Sequence, residues 1–469
     1  MNNDLKFFFK DIVKLNPTLA LDIGFKSKYI FSHIENDISD EYIVKFKKIL
    51  NKYKNTKNTK NISLKYIVNI YLKMLKYPFN LLPIYSLDNP IIEFDYMNGS
   101  IYPKNKEYLK SRIEDFDKLL ETSIIRMKEG MEKNITIPKI ICKKIIKDLS
   151  KPIYVNRYKK FINFLKKDYL KKCRNKIGLY ALKDGKKMYQ LLIDINCSFH
   201  IKAPEIHKIG LIETNKLYKK LINIKYENKE HCKSKKELLN LYKSHYNYIN
   251  KNILHKYFKY IPKTVCKIKP VPENLEKSSP FAYYYPLVDT FFINTYDLKG
   301  ISKEDMFTLT MHESIPGHHY QYAYMKEHNL PKYKQYAIDN NALAEGWALY
   351  TETLGPETKG SIRAQLFRSV RLVIDTGIHY YGWSFKKAFN YMKKYVSYSD
   401  EEIKSEIYRY ICIPGQAVSY YLGKIYILKL RDLYINKYKL GDIKDFHEFI
   451  LEDGFITFDH LMKKLKKMI

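Results

Sequence analysis

Residues 308–321, TLTMHESIPGHHYQ, constrain this chain more than any other stretch, because they gather ligand-type side chains around a segment that no straight helix can carry. His312, Glu313, His318 and His319 lie within eight residues. A helix is expected over 303–315, capped by Ser302 or Asp305 and buried through Met306, Phe307, Leu309 and Met311. Pro316-Gly317 then interrupts the ladder, since proline lacks an N–H and its ring clashes one turn back. In a straight helix His318 would point ~120° away from His312, and His319 would sit ~10 Å further along. Neither pair could share one ion. The motif therefore requires a deformed helix, with the Pro-Gly step turning a histidine back toward His312.

EGWALYTE at 345–352 adds a further glutamate, on a helix expected over roughly 340–354. A catalytic zinc ion takes three protein ligands and keeps one position open. His312 and His318 are read as two ligands and Glu345 as the third, for one Zn2+ ion. Glu313 is read as the general base that takes a proton from water. His319 is the rival second ligand. Otherwise it stands behind the ligands or against a substrate.

Composition decides which partners to discount. The formal charge of +33 comes from 83 Lys+Arg against 50 Asp+Glu, but only nine of the cations are arginine. Readers of duplex nucleic acid rely on arginine for bidentate contacts, and the lysines here are scattered. No specific nucleic acid is expected, and the charge is read as solvated lysine-rich faces. Hydrophobic residues at 45% suffice for a real core. The six cysteines, at 142, 173, 197, 232, 266 and 412, include no CxxC pair, which argues against a disulfide framework and suits a reducing compartment. The first residues, MNNDLKFFFKDIVKLNP, interrupt their apolar run with charges, and no window reaches 18 uncharged apolar residues. A cytoplasmic protein with no membrane partner is expected. Its oligomeric state is not legible.

The fold expected is mainly α, with a short β-hairpin or small sheet near the metal helix. Residues 1–80 show helical spacing, NTKNTKN at 55–61 reads as a polar loop, and 104–150 as two helices divided near Asn134 and Pro138. His200, His207, His231, His245 and His255 stand singly and are read as surface or core residues. One or two short strands are expected around 282–295, either as a structural hairpin or as an edge that holds an extended substrate by strand addition. No composition break marks a boundary. A single domain over 1–469 is expected, with 1–265 as a mostly helical N-terminal part and 266–469 as the part carrying the motif.

Downstream, Arg371, Asp375 and His379 fall on one helix face, with Arg368 beside them. They are read as a cleft wall, with His379 donating to a substrate oxyanion and an arginine meeting a substrate carboxylate. The alternative is a salt-bridge network between helices. A second Pro-Gly break at 414–415 is flanked by Arg409 and Tyr410 before it and by Gln416 and Tyr420 after it. Tyr420 is the first choice, and Tyr410 the second, for a hydroxyl that meets a tetrahedral intermediate. Arg409 and Gln416 are read as supporting or substrate-contacting residues. Gly423 is read as a close helix contact. Trp347 and Trp383 are read as core.

HESIPGHHYQ followed by NALAEGWALYTE resembles a large, mainly bacterial family, "domain of unknown function" number 885, with HE-x-x-PGH and EGWA-x-Y motifs. NPTLALDIGF, AYYYP at 282–286, RLVIDTGIHYYGWS, RYICIPGQAVSYYLG and the closing FHEFILEDGFITFDHL fall in the family's order, so the resemblance covers most of the chain. It implies a gluzincin-like zinc metallopeptidase of the thimet-oligopeptidase or carboxypeptidase-Taq type, with a deep channel that favours short peptides. It implies His312, His318 and Glu345 as ligands and Glu313 as base. Members of the family commonly carry export signals, and this sequence shows none. Two other functions fit the same residues: a catalytically silent metal-containing binding protein, and a zinc amide or ester hydrolase with a non-peptide substrate.

Overall fold

Apolar residues at three- and four-residue spacing build most of this chain into helices. The longest, α1 (Lys106–Glu132), buries Phe116, Leu120 and Met127 along one face, and the Asn105 side chain caps it by accepting from the N–H groups of Glu107 and Tyr108. The computed structural model describes residues 3–54, 61–85, 90–224, 230–273, 275–276 and 279–469. Helices make up 69% of it and strands 3%, which makes the protein mainly α, as expected. The polar loop expected over 55–61 falls, apart from Asn61, outside the described residues.

The chain divides into two compact units. One comprises Met1–Asp194, Lys202–Pro204 and Ile374–Gln416; the other comprises Ile195–Ile201, Glu205–Val373 and Ala417–Ile469. Each unit is assembled from segments far apart in sequence. The HESIPGHH and EGWALYTE motifs both lie in the second unit.

Within the second unit, three four-residue strands form one sheet: β1 (Lys267–Pro270), β2 (Ala282–Tyr285) and β3 (Thr290–Ile293). The order is β1-β3-β2, with β1 parallel and β2 antiparallel to β3. β2 and β3 are the strands expected around 282–295. β1 was not foreseen, because KIKP is mostly exposed and carries no alternation of apolar residues. Phe291, Ile293, Ala282 and Tyr284 pack in one buried cluster with Met306, which lies on α2 (Lys303–Glu313). That cluster seats the edge strand β2 against the motif helix.

The six cysteines are all buried and form no disulfide. Among the described residues, no helix is long and apolar enough to cross a membrane.

Candidate metal centre

The local sequence explains how two histidines six residues apart come together. The Ser302 side chain caps α2 by accepting from the N–H of Asp305. The helix ends at Glu313, two residues before the expected limit, and Ser314 leaves helical geometry. The Ser314 hydroxyl donates back to the Thr310 carbonyl at 2.6 Å, competing with continuation of the ladder. The Ile315–Pro316 peptide is cis. Gly317 then passes so close to the end of α2 that a Cβ there would lie 1.9 Å from the His312 carbonyl oxygen and 2.4 Å from that of Met311. No other residue type fits at that position. A new helix, α3 (His318–Glu327), starts at once. The expected bend is thus a complete break between two helices, and its effect is to bring the His312 and His318 rings to 4.9 Å, almost perpendicular.

Glu345 comes from α4 (Asn341–Thr351), which Asn340 caps by accepting from the Leu343 N–H. Its Oε2 stands 3.5 Å from Nε2 of His312 and 3.5 Å from Nε2 of His318. The three ligand atoms lie within 4.8 Å of one another. Ligands on a tetrahedral zinc ion stand ~3.4 Å apart, so this set fits one ion. A second observation agrees: Glu345 Oε2 is buried and has no hydrogen-bond partner. A buried carboxylate oxygen without a donor is costly unless a cation serves it. The electrostatics point the same way. Burial opposes charge on His312, yet Glu345 and Glu352 together raise its pKa to about 9. Burial likewise opposes ionisation of Glu345, and the two histidines nevertheless hold its carboxyl well below the usual range. Glu345 and Glu352 thus favour positive charge on the group between them.

Behind His312 lies a residue to which the sequence reading gave no role. The Nδ1 of His312 donates to Glu352 Oε1 at 2.8 Å, leaving Nε2 to face Glu345 and His318. A carboxylate in this place fixes the tautomer and aims the ligand nitrogen. The signal was present: Glu352 lies seven residues after Glu345, two turns along the same helical face. Glu352 is held in turn by Gln365, whose Nε2 donates to Oε2 at 2.8 Å.

Glu313 points away from His312 toward the sheet. Its Oε2 accepts the backbone N–H of Tyr284 on the edge strand β2 at 2.9 Å. The Tyr284 hydroxyl lies 3.1 Å from Nδ1 of His319, and Nε2 of His319 lies 2.9 Å from the Thr264 carbonyl. Since a carbonyl only accepts, His319 donates from Nε2 and accepts the hydrogen bond of the Tyr284 hydroxyl at Nδ1. Both nitrogens are occupied, so the His319 ring is committed to the strand and to the Thr264 carbonyl, and His318 is the histidine that clusters with His312 and Glu345. The two ends of the motif thus grip one residue of the edge strand, Glu313 by its backbone and His319 by its side chain.

The downstream candidates separate into different surroundings. His379 is fully buried; Nδ1 accepts the Leu179 N–H at 3.1 Å and Nε2 donates to the Tyr410 carbonyl at 2.8 Å. Neither nitrogen is left for a substrate, which corrects the reading of His379 as an oxyanion donor. Tyr410 is also fully buried and its hydroxyl donates to Glu406 at 2.7 Å, which corrects its place as second choice. Asp375 accepts from the Tyr189 hydroxyl at 2.5 Å and the Gly415 N–H at 3.1 Å, and burial raises its pKa to about 7. His379, Tyr410 and Asp375 lie in the first unit, whereas the metal cluster lies in the second. Arg409 donates to Gln416 across the Pro414-Gly415 break at 2.6 Å. Arg371, on α5 (Lys359–His379), stacks over Phe367 at 4.3 Å and over Tyr420 at 4.6 Å. The stripe of Arg371, Asp375 and His379 on one helix face therefore does not form one cleft wall.

Tyr420 is half-buried on α6 (Gln416–Asp432), one turn before Gly423. Gly423 packs against Gly346, the neighbour of Glu345: a Cβ on Gly346 would lie 2.4 Å from the Gly423 carbonyl carbon. This is the close helix contact expected at Gly423. It places the helix that carries Tyr420 directly against the helix that carries Glu345.

A family model described as "Bacterial protein of unknown function (DUF885)" matches residues 153–465. No curated protein matches the chain. Solved structures share its fold. "The putative lipoprotein" from Colwellia psychrerythraea superposes with a TM-score of 0.84 at 22% identity, covering 99% of this chain and 98% of that one. "A putative lipoprotein of unknown function" from Shewanella oneidensis gives 0.71 at 17% identity, with 99% of each chain covered.

Proposed function

This chain belongs to the DUF885 family, and from that premise we propose that it is a zinc-dependent hydrolase of peptide bonds in short peptides. The observation that carries the reading is the set of His312, His318 and Glu345, with its orphaned carboxylate oxygen, next to a glutamate that does not belong to the set. Two imidazoles and one carboxylate are the donor set of hydrolytic zinc sites, and a bound zinc ion supplies a Lewis acid that acidifies water and polarises a carbonyl.

The chain's own residues supply the rest. Glu313 has one oxygen fixed by the Tyr284 N–H, so its other oxygen is free to take a proton from water and pass it to the leaving amine. Tyr420, on the helix packed against that of Glu345, is the candidate donor to a developing oxyanion. The edge strand supports a peptide over other amides or esters. Tyr284 N–H points outward from β2 to Glu313, so the open edge of the strand runs beside the base, where an extended backbone can align. The unbridged cysteines support a reducing compartment such as the cytoplasm.

The test is Glu313→Gln. The variant should bind zinc as the wild type does and lose about 10²- to 10⁴-fold in peptide turnover. Undiminished turnover with zinc in place would refute the mechanism. Full zinc binding without cleavage of any peptide in a library by the wild type would favour the silent binding protein instead.

A further inference from the structure

The hydrogen-bond chain that starts at His312 does not stop at Glu352. Gln365, on α5, donates from Nε2 both to Glu352 Oε2 at 2.8 Å and to the Leu349 carbonyl at 3.2 Å. Its Oε1 accepts from Nζ of Lys424, on α6, at 2.5 Å. The amide can take only this orientation, because its NH2 faces two acceptors and its oxygen faces an ammonium. His312, Glu352, Gln365 and Lys424 are 2%, 3%, 6% and 9% exposed, so the whole chain is shielded from water.

We propose that Gln365 and Lys424 are positioning residues for the metal centre, a buried relay that holds Glu352 against His312 and supplies the counter-charge that the site needs. The argument is one of charge. Glu313, Glu345 and Glu352 bring three carboxylates to one small region, and a divalent ion balances two of them. Lys424 balances the third from the far side of Gln365. A buried ammonium is unfavourable unless anions face it. Glu352 and Glu213 are the anions that stabilise it, against repulsion from Lys216 and Lys220. Burial still lowers its pKa to about 8. The relay also ties together helices that are distant in sequence, since α5 and α6 each contribute one member and the Glu352 turn follows α4 directly. In this arrangement Lys424 acts on His312 through two intermediates, Gln365 and Glu352, and touches none of His312, His318 and Glu345.

This inference rests on the zinc reading above, and the experiment keeps the two apart. The zinc dissociation constant is measured by competition with a chromophoric chelator, and the visible spectrum of the Co2+ form is recorded. The full chain is compared with His318→Ala, Lys424→Met, Lys424→Arg and Gln365→Leu. His318→Ala should lose the ion. Lys424→Met and Gln365→Leu should each weaken zinc by about 10- to 100-fold and shift the Co2+ bands, while Lys424→Arg should recover most of the affinity. Wild-type affinity and spectra in both Lys424→Met and Gln365→Leu would overturn the relay and leave the zinc reading intact. A wild type that binds no zinc would overturn both. If Lys424→Met does not fold, Gln365→Leu, which keeps the lysine and breaks the link, decides the question.

Discussion

The indole N–H of Trp347 donates to the carbonyl of Pro316 at 2.9 Å. This bond fastens the EGW segment to the break in HESIPGHH, so Glu345 and the turn that precedes His318 are held by one buried contact. Trp347 is fully buried and lies two residues after Glu345.

Trp347→Phe keeps most of the apolar contact and removes the donor from the Pro316 carbonyl. The expected cost is about 1–3 kcal/mol of stability, together with weaker zinc binding, because the turn before His318 loses its anchor. Thermal melts with and without zinc check this. The gap between them should shrink in the variant, and an unchanged gap would mean that the break holds its shape without the indole.

Zinc binding should depend on pH with a definite sign. An ion must displace the proton that Glu345 and Glu352 favour on His312, whose pKa is raised to about 9. Below that value each unit of pH should weaken apparent zinc affinity about tenfold. Near pH 7.5, binding should release at least one proton per ion. Calorimetry in buffers of different ionisation enthalpy measures that proton, and affinity that does not change between pH 7 and 8.5 would show that His312 carries no proton for the ion to displace.

His379 makes a separate prediction about acid stability. Burial lowers its pKa to about 3, from an ordinary value near 6.5. Between those values the unfolded chain takes a proton that the folded chain refuses, so stability is lost as pH falls from about 6.5 toward about 3. The loss is ~1.4 kcal/mol per pH unit in that window. Burial of His447, lowered to about 4, adds to it over part of the same range. Urea midpoints from pH 7 to 4.5 read the slope. His379→Gln should flatten it by one proton's worth, and an unchanged slope would show that this histidine does not titrate on unfolding.

The motif residues were legible because ligand chemistry is written in residue types. His312, His318, Glu345 and the adjoining Glu313 stand out from sequence alone, and the cluster of the first three is where the folded chain brings them together. Glu352 was equally visible as a second glutamate on the same face, and went without a role because acidic residues on helices are common. The Arg371, Asp375 and His379 stripe misled for the opposite reason. Shared helical phase brings side chains to one face, but whether that face meets a cleft or a core is decided by neighbours such as Leu179, Tyr189 and Tyr410, which the spacing does not reveal.

By itself, the sequence determined that this chain is helical, that its helix must break at Pro316-Gly317, and which residue types can hold an ion. These follow from local rules of periodicity, proline geometry and ligand chemistry. Tertiary structure alone decided that His319 serves the edge strand while His318 faces Glu345, and that His379 is a buried strut. It also decided that a lysine more than a hundred residues from His312 closes the chain behind it. Those outcomes depend on which groups burial forces to find partners, and the partners come from segments that no sequence spacing connects.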